Sequence, residues 1–233
     1  MSISQKYGRT LHYPFSPGTT SDDRINNDYW QHISGLSNII HTEKLDGENN
    51  CLSRYGVFAR SHVAPTVSPW TRDLCERWSH LKNDLGNYEI FLENLYAVHS
   101  IRYDQLTEHY HVFAVREHGM WLSWEETQFI AKFFELPVVP VLKQLSAIPE
   151  RSLFEKEILE IVRQPGTYGS IDTLSGNPCA MEGMVTRNIN EYRVADFQEN
   201  VFKYVRAGHV KTDEHWTKNW KRAQLKNESK CGR

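Results

Sequence analysis

Two rhythms of apolar and polar positions run along this chain: the alternation expected of half-buried strands, and the three- and four-residue spacing expected of helices. Ser37 to Leu45 carries the apolar pair Ile39-Ile40 and reads as a strand that ends in a lysine. Glu48 to Ser61 reads as a hairpin, with Cys51-Leu52-Ser53 and Val57-Phe58-Ala59-Arg60 flanking a turn at Tyr55-Gly56. Ser68 is placed to cap a helix with Pro69 at its first position. That helix is expected to run to about Leu85, with Leu74, Trp78, Leu81 and Leu85 as one stripe, and to stop at Gly86-Asn87. Strands resume at Tyr88–Leu95 and Tyr110–Arg116, and a turn at His118-Gly119 leads into Met120-Trp121-Leu122. Ser123 and Glu126 have capping-box spacing, so a helix is expected from Trp124 to Glu135. Ser152 and Glu155 repeat the signature before Phe154, Ile158, Ile161 and Val162 on a buried face. Gln164-Pro165-Gly166 breaks the chain, and two further strands fall around Glu182–Arg187 and Val201–Val205.

Hairpins interrupted by helices predict an α+β fold with mainly antiparallel sheet. Residues 1–30, with Pro14, Pro17, Gly18 and Asp22-Asp23, read as an extended arm or loop. Residues 207–233 read as a charged helical tail with Trp216 and Trp220 at i, i+4. No repeat, low-complexity tract or linker interrupts the chain, so one domain over 1–233 is expected. Its 233 residues, 39% hydrophobic and 12% aromatic, suffice for a sizeable core. A net charge of −2 gives no global basic field, although a local basic groove stays open. Cys51, Cys75, Cys179 and Cys231 form no C-x-x-C pair, which argues against a zinc site or disulfide scaffold and suits a reducing compartment. The N-terminus lacks an apolar leader and no 18-residue apolar run occurs, so a cytoplasmic protein without a membrane span is expected.

Chemistry is suggested where charges interrupt these strands. Lys44 follows Ile39-Ile40 and lies between Glu43 and Asp46, with Gly47 after them. Alone, this is either a nucleophile or a strand end carrying paired charges into a turn. Arg60, Glu93, Glu182 and Lys203 also stand among apolar neighbours. Each taken singly is a solvent-facing strand residue; two acids and three bases together suggest a polar cleft lined by several strands. Phe113 is equally a core residue or a stacking platform. His109 and His111 alternate on one strand but lack a third metal ligand at suggestive spacing, which favours polar surface or substrate-contact roles over a metal pair. Lys218, Lys221, Arg222, Lys226 and Lys230, interleaved with Trp216 and Trp220, fit a nucleic-acid track or, preferably, a solvated helix packing its tryptophans on the body.

Taken in order, five segments resemble the signature series of the covalent nucleotidyltransferase superfamily: Lys44-Leu45-Asp46-Gly47, Phe91-Leu92-Glu93-Asn94, Tyr110-His111-Val112-Phe113, Glu182-Gly183-Met184-Val185 and Lys203-Tyr204-Val205-Arg206. Glu43, Asn49, the run Glu93 to Ile101, Leu122 to Thr127 and Gly208 to Trp216 are similar to its bacterial and phage RNA ligase branch. The resemblance implies a nucleotidyltransferase (ATP-grasp-like) domain of antiparallel sheets flanked by helices. It implies an ATP-dependent RNA ligase that loads AMP on Lys44, passes it to an RNA 5′-phosphate and seals that end to a 3′-hydroxyl. ATP and Mg²⁺, with Mn²⁺ as an alternative, are the implied cofactors. Glu182 and Asp46 would hold the metal, Glu93 the ribose and Glu43 the base; Phe113 would stack on adenine. Arg60, Lys203 and Arg206 would meet the phosphates, and Asn49 would serve the steps after adenylation.

A free lysine has a pKa near ~10.4, so neutralising it at pH 7 costs on the order of 4–5 kcal/mol, which converging cations would reduce. Val205 stands where the family often has a second lysine, and Arg206 or Lys211 would substitute. The chain ends soon after Arg206, so no OB-fold domain is expected, and a partner could supply end-healing or a second domain. A minimal ATP-dependent DNA ligase and a non-ligating nucleotide- or RNA-end-binding protein are the rival readings.

Overall fold

The computed structural model describes residues 5–19, 23–208 and 216–228. In chain order the elements are β1 (Leu11–His12), α1 (Tyr29–Ser34), β2 (Ile39–Lys44), β3 (Glu48–Ser53), β4 (Gly56–Ala59), α2 (Arg72–Leu81), β5 (Glu89–Asn94), β6 (Ile101–Arg102) and β7 (Tyr110–Glu117). They continue with β8 (Met120–Trp121), α3 (Trp124–Phe133), β9 (Val141–Leu145), α4 (Arg151–Ile161), β10 (Ile171–Asp172), β11 (Gly183–Asn188), β12 (Tyr192–Arg193), α5 (Phe197–Asn200) and β13 (Val201–Val205). One sheet has the order β1-β13-β11-β2-β9 and the other β12-β8-β7-β5-β3-β4, with β10-β6 as a small ribbon. Every pairing is antiparallel except β1 with β13.

Three apolar clusters hold these layers together. Ile40, Phe91, Phe113, Trp121, Phe197 and Val201 pack between the two large sheets. Leu74 of α2 and Ile130 of α3 cover the outer face of the six-stranded sheet against Leu52, Leu92 and Val112. Ile33 of α1 and Phe154 and Ile158 of α4 cover the five-stranded sheet against Ile39, Met184 and Phe202. The expected α+β architecture is therefore what forms.

Local expectations fared unevenly. The Ser123–Glu126 capping box is made in both directions. The Ser152–Glu155 box is not: α4 starts at Arg151 after Glu150, and Glu155 instead accepts from the Arg151 guanidinium and the Tyr29 hydroxyl. The helix expected to reach Leu85 ends at Leu81 because the Asp84 amide turns back to the Leu81 carbonyl, although Leu85 is buried. Strand β9 has mostly exposed side chains and so carries no alternation to read. The arm is far from loose: fully buried Tyr13 stacks between Phe15 and Phe202, and its hydroxyl donates to Thr186 Oγ1 at 2.6 Å.

The tail departs from a helix. Among its described residues only Trp216–Lys218 make a 3₁₀ turn. The chain then lies extended, with Val98 N–H on the Lys221 carbonyl and Ala223 N–H on that of Tyr96. The Val98 amide and the Tyr96 carbonyl would otherwise lose these partners, and that need outweighs helix propensity. Trp220 does pack on the body, against Trp70 and Tyr96. His109 and His111 are buried rather than on the surface, bonded to the Ala223 carbonyl and the Tyr168 hydroxyl. His209, Lys211, His215, Lys230, Cys231 and the Trp216 side chain lie outside the described residues. Among the described residues, no helix is long and apolar enough to cross a membrane.

Candidate active site

Strand register decides which side chains face the gap between the sheets. Thr42, Val185 and Lys203 lie in one row across β2, β11 and β13, and Lys44, Gly183 and Val205 lie in the next. Directly opposed residues share a face, so Lys44 and Lys203 both project toward the facing sheet. From that sheet, Asn49, Glu93 and His111 form one row and Cys51, Phe91 and Ala114 another. The register shifts between Phe91 and Leu92, where Ala114 and Val112 are their partners; Phe113 is the extra residue of a β-bulge and turns inward beside Ala114. Gly183 is required here, because a Cβ would run into the Tyr204 carbonyl.

Lys44 Nζ lies 2.5 Å from Glu182 Oε1, with the carboxylate almost fully buried. Glu93 Oε1 accepts from the Gly47 amide at 3.0 Å, which ties the turn after the lysine to β5. Asp46 holds the opposite side of that turn: Oδ2 accepts from the Ile101 amide at 2.7 Å, and its own amide donates to the Tyr103 hydroxyl. Burial alone would push the Lys44 ammonium down, but Glu182, Glu93 and Asp46 outweigh it and raise its pKa. Of the two influences expected on this lysine, acids raising its pKa and cations lowering it, the acids dominate because they are the nearest charges. Burial, with Glu182 adding repulsion, pushes Asp46 to about 7. Burial likewise pushes Glu93 to about 8, against the attraction of Lys44. Lys203 is the lysine whose pKa is lowered, by burial and by the charges of Lys44 and Arg60, with Asp23 opposing.

The structure thus brings Lys44, Asp46, Glu93, Glu182 and Lys203 together. Asn49 sits beside Glu93 with its buried Oδ1 lacking a hydrogen-bond partner. Arg60 is exposed just past β4, close enough for Lys203 to feel its charge. Glu43 reaches the 165–168 loop: Oε2 accepts from the Thr167 amide at 2.8 Å, while buried Oε1 has no partner. Val205 faces the cleft where the second lysine was sought, and Arg206 directs its guanidinium to Cys179 Sγ.

Sequence reading missed five residues here. Arg187, nearly buried on β11, donates to the Phe113 carbonyl and to Thr42 Oγ1. Its only signal was a charge at the end of an apolar strand. Tyr7 packs among Phe91, Phe113, Trp121 and Phe197, at 4.9–5.3 Å between ring centroids. The fully buried Arg116 holds the arm there by donating to the Gln5 and Lys6 carbonyls. His12 and Asp23 adjoin Lys203, and no periodicity in the arm pointed to them.

The donor chemistry fits a hard divalent cation, since Glu182, Asp46 and Glu93 are carboxylates and such ions take oxygen ligands. Among the described residues, no three His, Cys, Asp or Glu side chains close a ligand set by themselves.

Two packed antiparallel sheets with a lysine nucleophile candidate between them define a covalent nucleotidyltransferase fold. The Naegleria gruberi RNA ligase with PPi matches with a TM-score of 0.53 at 18% identity, over 88% of this chain and 60% of that one. A variant of the same ligase with ATP and Mn matches at 0.52 and 19% identity, over 88% and 61%. A protein of Aquifex aeolicus assigned as an ATP-dependent DNA ligase matches at 0.50 and 19% identity, over 86% and 50%. The chain therefore spans 50–61% of these relatives' length. No curated protein sequence matches significantly. The profile of the RNA ligase family matches residues 37–205, and the chain belongs to that family.

Proposed function

We propose that the protein is an ATP-dependent RNA ligase that carries AMP on Lys44. The observation that supports it most is the Lys44–Glu182 pair in a cleft that also presents Glu93 and Lys203. Lys44 Nζ attacks the α-phosphorus of ATP, the bond to pyrophosphate breaks, and a phosphoramidate to AMP remains. Before attack Nζ gives up a proton, and Asp46, raised to about 7 and so half-ionised near neutral pH, is the carboxylate that can accept it. Lys203 stabilises charge growing on the phosphate oxygens. A divalent ion, when bound, would neutralise phosphate charge, with Glu182 as its principal carboxylate; Asp46 contributes mainly by field, since Oδ2 is held by the Ile101 amide.

The base would stack on Phe113 in place of the Tyr7 ring that packs on it, with Glu93 toward the ribose. The unpartnered Glu43 Oε1 suits an exocyclic amine of adenine. Arg60 and Arg206 lie farther out and serve the leaving phosphates. Asn49, with its free Oδ1, serves the later steps, in which AMP passes to an RNA 5′-phosphate and a 3′-hydroxyl displaces it.

Incubation with α-labelled ATP and Mg²⁺ or Mn²⁺ tests this reading. A covalent AMP adduct is expected, and it disappears in Lys44→Ala. An adduct that persists in that variant refutes the role of Lys44. Nicked duplexes with RNA or DNA at the 3′-hydroxyl side separate RNA from DNA ligation; sealing only DNA ends would favour the DNA ligase alternative.

A further inference from the structure

The matched family region begins at residue 37, yet the arm before it reaches the cleft. Strand β1 runs parallel to β13 and sets His12 opposite Lys203. Asp23 Oδ1 lies 3.1 Å from Lys203 Nζ and 3.0 Å from His12 Nε2, so one oxygen joins both side chains. His12 is almost fully buried, and its other nitrogen, Nδ1, lies 2.9 Å from Ser16 Oγ. That hydroxyl in turn accepts from the Val205 amide, two residues after the lysine. Ser16, His12, Asp23 and Lys203 therefore form a chain anchored at both ends on β13.

The chain has a chemical use. A lysine stem has four rotatable bonds, and an ammonium at the mouth of a cleft is repelled by Lys44 and Arg60. Without a local counter-charge it would swing toward solvent. Asp23 occupies one of its three donors and leaves two for a phosphate. Neutral His12, its Nε2 only 3.0 Å from Asp23 Oδ1, packs against the carboxylate and cannot itself replace the lysine. With Val205 in place of a second lysine, the orientation of this one cation matters more.

We propose that Asp23, oriented by His12, is a positioning residue that aims Lys203 at the α-phosphate during adenylation. The inference rests on the ligase reading above. It makes the N-terminal arm part of the active site and not a tether.

The test is single-turnover formation of the Lys44–AMP adduct from α-labelled ATP and Mg²⁺, with rate at saturating ATP and half-saturating ATP read separately. Asp23→Ala should lower the saturated rate on the order of 10²-fold, as a small misplacement of a catalytic group does. Asp23→Asn keeps the acceptor and should recover part of that loss. Asp23→Ala placed on Lys203→Ala should cause no further loss, because both act through one ammonium. Thermal melts of each variant accompany the rates. Wild-type rates in Asp23→Ala would overturn the proposal, as would a full additional loss in the double variant or a loss that merely tracks unfolding. A wild type that forms no adduct overturns the ligase reading together with this proposal, whereas a normal adduct with indifferent Asp23 variants overturns this proposal alone.

Discussion

Replacing Glu93 by glutamine should stabilise the protein at pH 8 and leave it nearly unchanged at pH 5. The Glu93 carboxyl is pushed from 4.5 to about 8, first by burial and then by Glu182 and Asp46. Above pH 4.5 the unfolded chain releases this proton while the folded chain keeps it, so the folded state loses stability as pH rises, until about pH 8. At about 1.36 kcal/mol per pH unit, the whole gap corresponds to about 5 kcal/mol. Removing one carboxylate also relaxes its neighbours, so we assign roughly half of this, about 2 kcal/mol, to the single substitution. Glutamine retains the oxygen that accepts from the Gly47 amide. A domain of this size shifts by roughly 2–4 °C per kcal/mol, which gives a gain of about 4–8 °C at pH 8. Lys44 adds no slope in this window, because a base with a raised pKa holds its stabilising charge up to about pH 10. Differential scanning calorimetry of both proteins without nucleotide at pH 5 and pH 8 reads the effect. An equal gain at both pH values, or a loss at pH 8, would refute the linkage.

Three further outcomes follow from packing. Gly183→Ala should destabilise by about 1–3 kcal/mol and suppress adenylation, because a Cβ there pushes on the Tyr204 carbonyl and shifts the strand carrying Lys203; denaturant melts and adduct yield report both. Arg116→Leu should cost about 3 kcal/mol in a urea titration, since it leaves Glu89 and the Gln5 and Lys6 carbonyls without their donor. Ser123→Ala should cost about 1 kcal/mol through the lost cap of α3, with adenylation unchanged.

Order and spacing made the cleft legible because its residues end or interrupt strands, where a charge is conspicuous. Lys44, Glu93, Glu182 and Lys203 were all visible in this way, and register then put Lys44 and Lys203 in adjacent rows of one sheet and Glu93 in a row of the facing one. What stayed illegible depends on partners distant in sequence. Tyr13 is buried because Phe202 lies across it, and nothing within the arm predicts that contact. The Ser152–Glu155 spacing repeats that of Ser123–Glu126, yet only the latter caps, because Tyr29 and Arg151 compete for Glu155. The tail's tryptophan spacing suggested a helix, whereas backbone partners at Tyr96 and Val98 hold it extended. Local patterns lose to tertiary hydrogen bonds wherever those bonds satisfy otherwise buried amides.

The resting cleft is set against its own chemistry. On the proposed ligase reading Lys44 would have to be neutral to attack, but its acidic neighbours hold it charged, while Lys203, which that reading keeps charged, is the lysine made less basic. The carboxyl that could take the Lys44 proton is Asp46, whose affinity lies near neutrality, whereas Glu93 already holds its own. Loading ATP therefore has to do more than fill a pocket. The divalent ion that accompanies ATP would bring positive charge to the acids, and the phosphates would give Lys203 an anion beyond Asp23, so that the field around Nζ reverses as the substrate seats. Binding energy used in this way appears in the rate and not in affinity. On that argument, substitutions of the acidic residues should weaken adenylation mainly through the saturated rate, even where they make the empty protein more stable.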